Sequence, residues 1–85
     1  MEISVVIPCL NEAKTIGTCI KKIIEVFNQE KIHGEIIVVD NGSIDKTVSI
    51  ARKYGVKVVI EDVKGYGKAL RRGIEEAKGS FVVIS

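Results

Sequence analysis

The sequence predicts an α/β fold wound in both directions from a parallel sheet. Three observations predict it. Across 85 residues, short β-branched runs alternate with helix-period segments in the order β-α-β-α-β-α-β. Ile36 to Val39 are apolar at every position, the pattern of a strand covered on both faces. Three polar loops, Pro8 to Glu12, Asp40 to Asp45 and Lys64 to Lys68, lie beyond the first three strands and would meet at one sheet edge.

Each element has its own justification. Ile3 to Ile7 are rich in β-branched residues and read as strand one, with Pro8 expected to end regular pairing. Asn11 is a suitable cap, and Glu12 suits the positive end of a helix. Ile16, Ile20, Ile23, Ile24 and Phe27 then recur at helical spacing. Lys31 to Glu35 read as a loop and Ile36 to Val39 as strand two. Gly42 and Ser43 turn the chain, and Ser43 or Asp45 can cap a second helix over about Asp45 to Tyr54. Val48, Ala51 and Tyr54 mark its expected inner face, and Gly55 its carboxyl cap. Val56 to Ile60 form strand three. A third helix is expected over about Gly67 to Lys78, with Leu70, Ile74 and Ala77 inward and Gly73 allowing close packing beside them. Gly79 stops it, and Phe81 to Ile84 form strand four.

Right-handed crossovers then give the strand order 3-2-1-4. Helices one and two cover one face and helix three the other. The expected unit is a single Rossmann-like, three-layer half-domain over residues 1–85, with the winding reversed between strands one and four. The face with one helix is thinly covered, and strand four is an open edge. Self-association through either is expected.

Composition excludes several classes. With 46% hydrophobic residues the chain has ample material for a core, so disorder is not expected. A net charge of +2 does not indicate a nucleic-acid partner. No segment approaches the ~20 apolar residues of a membrane span. The first residues lack the features of a secretory signal, so the expected location is cytoplasmic. Cys9 and Cys19 belong to no CxxC pair or zinc spacing and read as reduced thiols.

Asp40, Asn41, Gly42 and Ser43 follow a buried strand, where parallel sheets place ligands. The same residue types also make any tight turn. The third loop adds an electrostatic signal. Lys64, Lys68, Arg71 and Arg72 crowd the start of helix three, while Glu75 and Glu76 lie further along. This is the reverse of what the helix dipole favours. A bound anion would account for it, with Gly65 and Gly67 letting backbone N–H groups approach a phosphate. A solvated basic face with two turn glycines is the plainer alternative. The stretch matches neither a Walker loop nor a dinucleotide fingerprint.

Three segments together resemble the amino-terminal part of a family 2 glycosyltransferase of GT-A fold: SVVIPCLNE (4–12), VVDNGSIDKT (38–47) and KGYGKAL (64–70). The resemblance is nearest to polyprenyl- or dolichyl-phosphate sugar synthases. It implies a UDP- or GDP-sugar donor, with Pro8, Leu10 and Glu12 lining the base and ribose pocket. Asp40 and Asn41 stand where relatives place base-binding acids. Many relatives have Asp-Asp there, so Asn41 leaves uracil or guanine open. Ser43, Gly65, Gly67, Lys68 and Arg71 complete the implied nucleotide-binding set. The resemblance also implies Mg²⁺ or Mn²⁺, an acceptor that in the intact enzyme includes a lipid phosphate at the cytoplasmic membrane face, and an Asp-x-Asp motif just after strand four. The sequence stops at Ser85, before that motif and before any general base. The expectation is therefore donor binding without a metal or catalytic residue, and without turnover, in a piece of a larger enzyme. A stand-alone regulatory nucleotide-binding module and a receiver-like scaffolding domain are the alternatives.

Overall fold

The computed structural model describes all residues from Met1 to Ser85. The elements are β1 (Ile3–Cys9), α1 (Ile16–Gln29), β2 (Gly34–Asp40), α2 (Thr47–Lys53), β3 (Lys57–Ile60), α3 (Tyr66–Glu76) and β4 (Phe81–Ile84). All strand pairs are parallel, and the sheet order is β3-β2-β1-β4, as the sequence predicts. β1 and β2 pair from Ile3↔Gly34 to Cys9↔Asp40, so both end at the same edge.

Side chains alternate across each strand, and two cores result. Val5, Ile7, Ile36 and Val38 pack with Ile16 and Ile20 of α1 and Ala51 of α2. Val6, Ile37, Val39 and Val59 pack with Ala69 of α3 on the other face. Val6, Ile37, Val38 and Val39 are wholly buried. Each such side chain contributes roughly 1.5–3 kcal/mol. The two-faced cover expected for strand two is therefore present.

Several local expectations change. Strand one does not stop at Pro8, which pairs with Val39. The Val6 carbonyl accepts the Ser85 N–H (2.9 Å), so the β4 side is the side that Pro8 also faces. The missing Pro8 N–H therefore faces away from β2 and does not interrupt the β1–β2 ladder. Strand two begins at Gly34 rather than Ile36. A side chain at 34 would meet Phe27 Cζ at 2.6 Å, so the Phe27 ring occupies that space.

Helix one begins after Thr15, not at Asn11, and the Glu12 carbonyl accepts the Thr15 and Ile16 N–H groups. Helix two begins at Thr47, with Lys46 in the cap position and neither Ser43 nor Asp45 there. On its expected inner face Ala51 is buried, but Tyr54 is exposed and lies over Gly17 of α1. Gly55 has the positive φ (74°) of the predicted carboxyl cap. Helix three ends at Glu76, and its buried residues are Ala69 and Gly73 while Ile74 is half exposed. The small residues turn inward because the helix lies very close to the sheet.

At the amino edge, buried Ser4 donates to Glu35 Oε2 (2.5 Å) and accepts the Gly79 N–H (2.8 Å). The Lys78 N–H donates to the same Glu35 oxygen (2.7 Å). Burial pushes the Glu35 carboxyl up. The Ser4 hydroxyl, the Lys78 N–H and the Lys57 and Lys78 charges outweigh that and hold it below its usual value. β4 pairs only with β1, and all four of its side chains are exposed.

Candidate functional site

The three predicted loops do converge, and side chains stitch them together. The Asn11 N–H donates to Ser43 Oγ (2.8 Å), Glu12 N–H to Thr47 Oγ1 (2.9 Å) and Ala13 N–H to Asp45 Oδ2 (3.2 Å). In return the Ile44 N–H donates to Asn11 Oδ1 (2.9 Å). Asn11 holds a left-handed backbone (φ 54°), which asparagine tolerates better than most residues. Asn11 is thus a strut between two loops instead of a helix cap. The Thr47 hydroxyl also bonds to Asp45, and this bond is the main reason the Asp45 carboxyl sits below its usual value.

Asp40 is buried at the end of β2. One carboxylate oxygen accepts the N–H groups of Gly42 (3.1 Å) and Ser43 (2.9 Å). The other accepts the Ser43 hydroxyl (2.5 Å) and the Cys9 thiol (3.7 Å). It therefore shapes the turn. Burial, reinforced by the Asp40 charge, pushes the Cys9 thiol up to about 12. Gly42 takes a positive φ (102°) with Lys64 Nζ close above it, 3.5 Å from where a Cβ would lie.

Asn41, also buried, turns toward the third loop. Its Nδ2 donates to the carbonyls of Glu61 (2.9 Å) and Val63 (3.0 Å), and its Oδ1 accepts the Gly65 N–H (2.9 Å). The Gly65 N–H is thereby engaged inside the protein. The next N–H groups, on Tyr66, Gly67 and Lys68, open α3 and lack intrahelical partners by geometry.

Two hollows share this helix start. The first, about 350 Å³, is lined by Pro8, Leu10, Glu12 and Asn41 of the predicted set, joined by Cys9, Tyr66 and Ala69. The second, about 340 Å³, is lined by Gly65, Gly67, Lys68 and Arg71. Asp40 and Ser43 line neither of the two and lie in the turn behind. Sequence reasoning missed Tyr66, although its place between two glycines at a helix start was a usable signal. It also missed Thr47, whose tie to Glu12 depends on tertiary structure.

No three Asp, Glu, His or Cys side chains come together as a metal-holding group. Asp40 uses both carboxylate oxygens in hydrogen bonds within the turn. No helix is long and apolar enough to cross a membrane.

The sequence profile of glycosyl transferase family 2 matches residues 4–85. The chain belongs to that family. A low-salt glycan biosynthesis hexosyltransferase of Haloferax volcanii is 37% identical over 82 residues, covering 96% of this chain and 20% of that protein. A dodecaprenyl-phosphate galacturonate synthase of Rhizobium johnstonii is 30% identical over 89 residues, covering 96% of this chain and 26% of its own length. Among solved structures, the glucosyl-3-phosphoglycerate synthase of Mycobacterium tuberculosis, in complex with Mn²⁺, UDP and phosphoglyceric acid, superposes with a TM-score of 0.87. It is 35% identical, and the match covers 99% of this chain and 32% of that one. The family 2 chain described here therefore spans a fifth to a third of the length of these relatives.

Proposed function

We propose that these residues form the donor-nucleotide half of a sugar-transferring enzyme and hold a nucleoside diphosphate sugar. The observation that carries the reading is the pairing of two hollows at one helix start. One is part apolar and sized for a base and ribose, and the other is cationic and lined by glycine backbone. Pro8 and Leu10 would flank the base, with the Glu12 carboxylate accepting from ribose hydroxyls. Asp40, Asn41 and Ser43 build the floor. Gly67 and the neighbouring free N–H groups, with Lys68 and Arg71, would take the diphosphate, and Gly65 sets their entry. UDP in the mycobacterial relative supports a nucleoside diphosphate, and UDP and GDP are the two donors to compare.

The whole enzyme would transfer the sugar to an acceptor. The lipid phosphate named for the Rhizobium relative supports a polyprenyl phosphate as acceptor, and the proposed place of that acceptor is the cytoplasmic membrane face. Mn²⁺ in the mycobacterial structure supports Mn²⁺ or Mg²⁺ for the intact enzyme, whose role is to offset charge on the leaving diphosphate. No three acidic, His or Cys side chains gather here as a metal-holding group, and the reading for these 85 residues alone is donor binding without turnover. The exposed apolar strand β4 supports self-association of this chain through that edge.

Calorimetric titration with UDP, GDP and their sugar conjugates tests the reading, followed by amide chemical shifts. Weak binding with shifts at Lys68, Gly67 and Leu10 is expected. No response to millimolar UDP or GDP would refute it, and Mn²⁺-stimulated release of UDP or GDP from a sugar donor would refute the absence of turnover.

A further inference from the structure

We infer that Asn41 is a positioning residue, whose two amide N–H groups clamp the loop between β3 and α3 and so set diphosphate affinity, leaving neither N–H to read the base. This inference rests on the donor-nucleotide reading above. An asparagine amide has two N–H donors and one oxygen acceptor. In Asn41 both donors are used, on Glu61 and Val63, and the oxygen takes the Gly65 N–H. The residue is 7% exposed. Both N–H groups are therefore spent inside the protein, and only a second lone pair of the oxygen remains for the first hollow that Asn41 lines.

The clamp reaches the loop where nothing else from β2 does. The backbone links between strand ends stop earlier, at Asn41 N–H to Cys9 O (3.0 Å) and Glu61 N–H to Asp40 O (2.8 Å). Beyond Glu61 the loop is held by its own Val63 N–H to Glu61 Oε2 bond (2.8 Å) and by Asn41. It then delivers Gly65, which has φ 130° and stands at the amino end of α3 with no side-chain cap. The same residue is the first wall of the cationic hollow. The direction in which α3 offers its free N–H groups is thus set through the Asn41 amide.

Aspartate is nearly the same size but cannot do this. An ionised carboxylate has no donors and would face the Glu61 and Val63 carbonyl oxygens directly. In this chain the amide therefore has a use internal to the protein.

The test titrates the wild-type chain, Asn41→Asp and Asn41→Ala with inorganic pyrophosphate, UDP and GDP. Both variants are expected to weaken all three by about tenfold, with the ratio of UDP to GDP affinity unchanged. Asn41→Ala separates loss of the clamp from the added charge. Unequal losses for UDP and GDP would make Asn41 a base reader and overturn the inference. So would unchanged pyrophosphate affinity, since a merely structural role would lower the melting temperature alone. If the wild type binds none of the three, the donor reading falls and this inference with it. If the wild type binds and the variants match it, only the clamp falls. Should the variants not fold, amide hydrogen exchange in the wild type decides. Gly65 is expected to be protected like Glu61, and exchange as fast as that of Lys68 would overturn the clamp.

Discussion

Gly73 of α3 rests directly on Val6 of β1. A methyl group at position 73 would stand 2.2 Å from Val6 Cγ1 and 3.1 Å from Val39 Cγ2. Both valines are wholly buried in the middle of the sheet and cannot move aside. Alanine favours a helix over glycine by about 1 kcal/mol, but overpacking a tight core costs about 1–3 kcal/mol. Gly73→Ala is expected to destabilise the chain, read as a lower urea midpoint with an unchanged slope. A variant as stable as wild type would mean that α3 stands further from the sheet.

Lys68 and Arg71 line the cationic hollow with no acidic partner among the ion pairs. Lys68→Ala is expected to weaken UDP binding by roughly threefold to tenfold, the scale of a typical net hydrogen-bond contribution of about 0.5–1.5 kcal/mol, because solvent screens this exposed charge. The loss should shrink at high salt. Calorimetry at two ionic strengths checks both, and an affinity insensitive to the substitution would move the phosphates elsewhere.

The two thiols should behave differently. Cys9 is buried with its thiol pushed up to about 12, whereas Cys19 is half-buried. Only the thiolate is nucleophilic. Iodoacetamide at pH 8 is expected to modify Cys19 and spare Cys9 until the chain unfolds. Mass spectrometry of the labelled peptides gives the order, and labelling of Cys9 first would contradict the buried contact with Asp40.

Glu35, Asp45 and Glu76 all have carboxyls held below their usual values. For Glu35 the folded-state stabilisers are named above, and for Glu76 the first is its bond to Lys57 (2.8 Å). A depressed folded value means that the unfolded chain binds more protons in the window between the two values. Stability from these groups is complete above the ordinary carboxyl range and is lost as pH falls through the folded values. Glu35→Gln is expected to flatten the acid side of a plot of stability against pH. An acid limb as steep as that of the wild type would assign the proton uptake to other groups.

The strand order, the two-sided cover of β2 and the meeting of three loops were legible because they follow from alternation, apolar runs and handedness. Misreadings came where a distant contact decides. Ile74 looked inward by helical spacing, but the short distance imposed by Gly73 against Val6 turns Ala69 and Gly73 to the sheet. Asn11 looked like a cap until the Ile44 N–H claimed its side chain. Pro8 looked like a terminator, though the β1–β2 ladder runs past it because its missing N–H faces away from β2. At the site, Pro8, Leu10 and Glu12 were named through the family resemblance, and Lys68 and Arg71 also through the charge at the helix start; all five lie along the two hollows. That the Asn41 amide is engaged within the protein could not be read from local sequence, because its three partners lie 20 to 24 residues away.

The Ser4 hydroxyl and the Gly79 N–H meet across 75 positions of sequence. This has a consequence for the order of folding. Closing so long a loop is entropically slower than closing the β1–α1–β2 unit, and the closure must precede any reward from pairing β4. The transition state is therefore expected to contain β1, α1 and β2 with β4 still loose. Substitutions at Val82 or Val83 should accelerate unfolding and leave the refolding rate nearly untouched, whereas Ile20→Val should slow refolding.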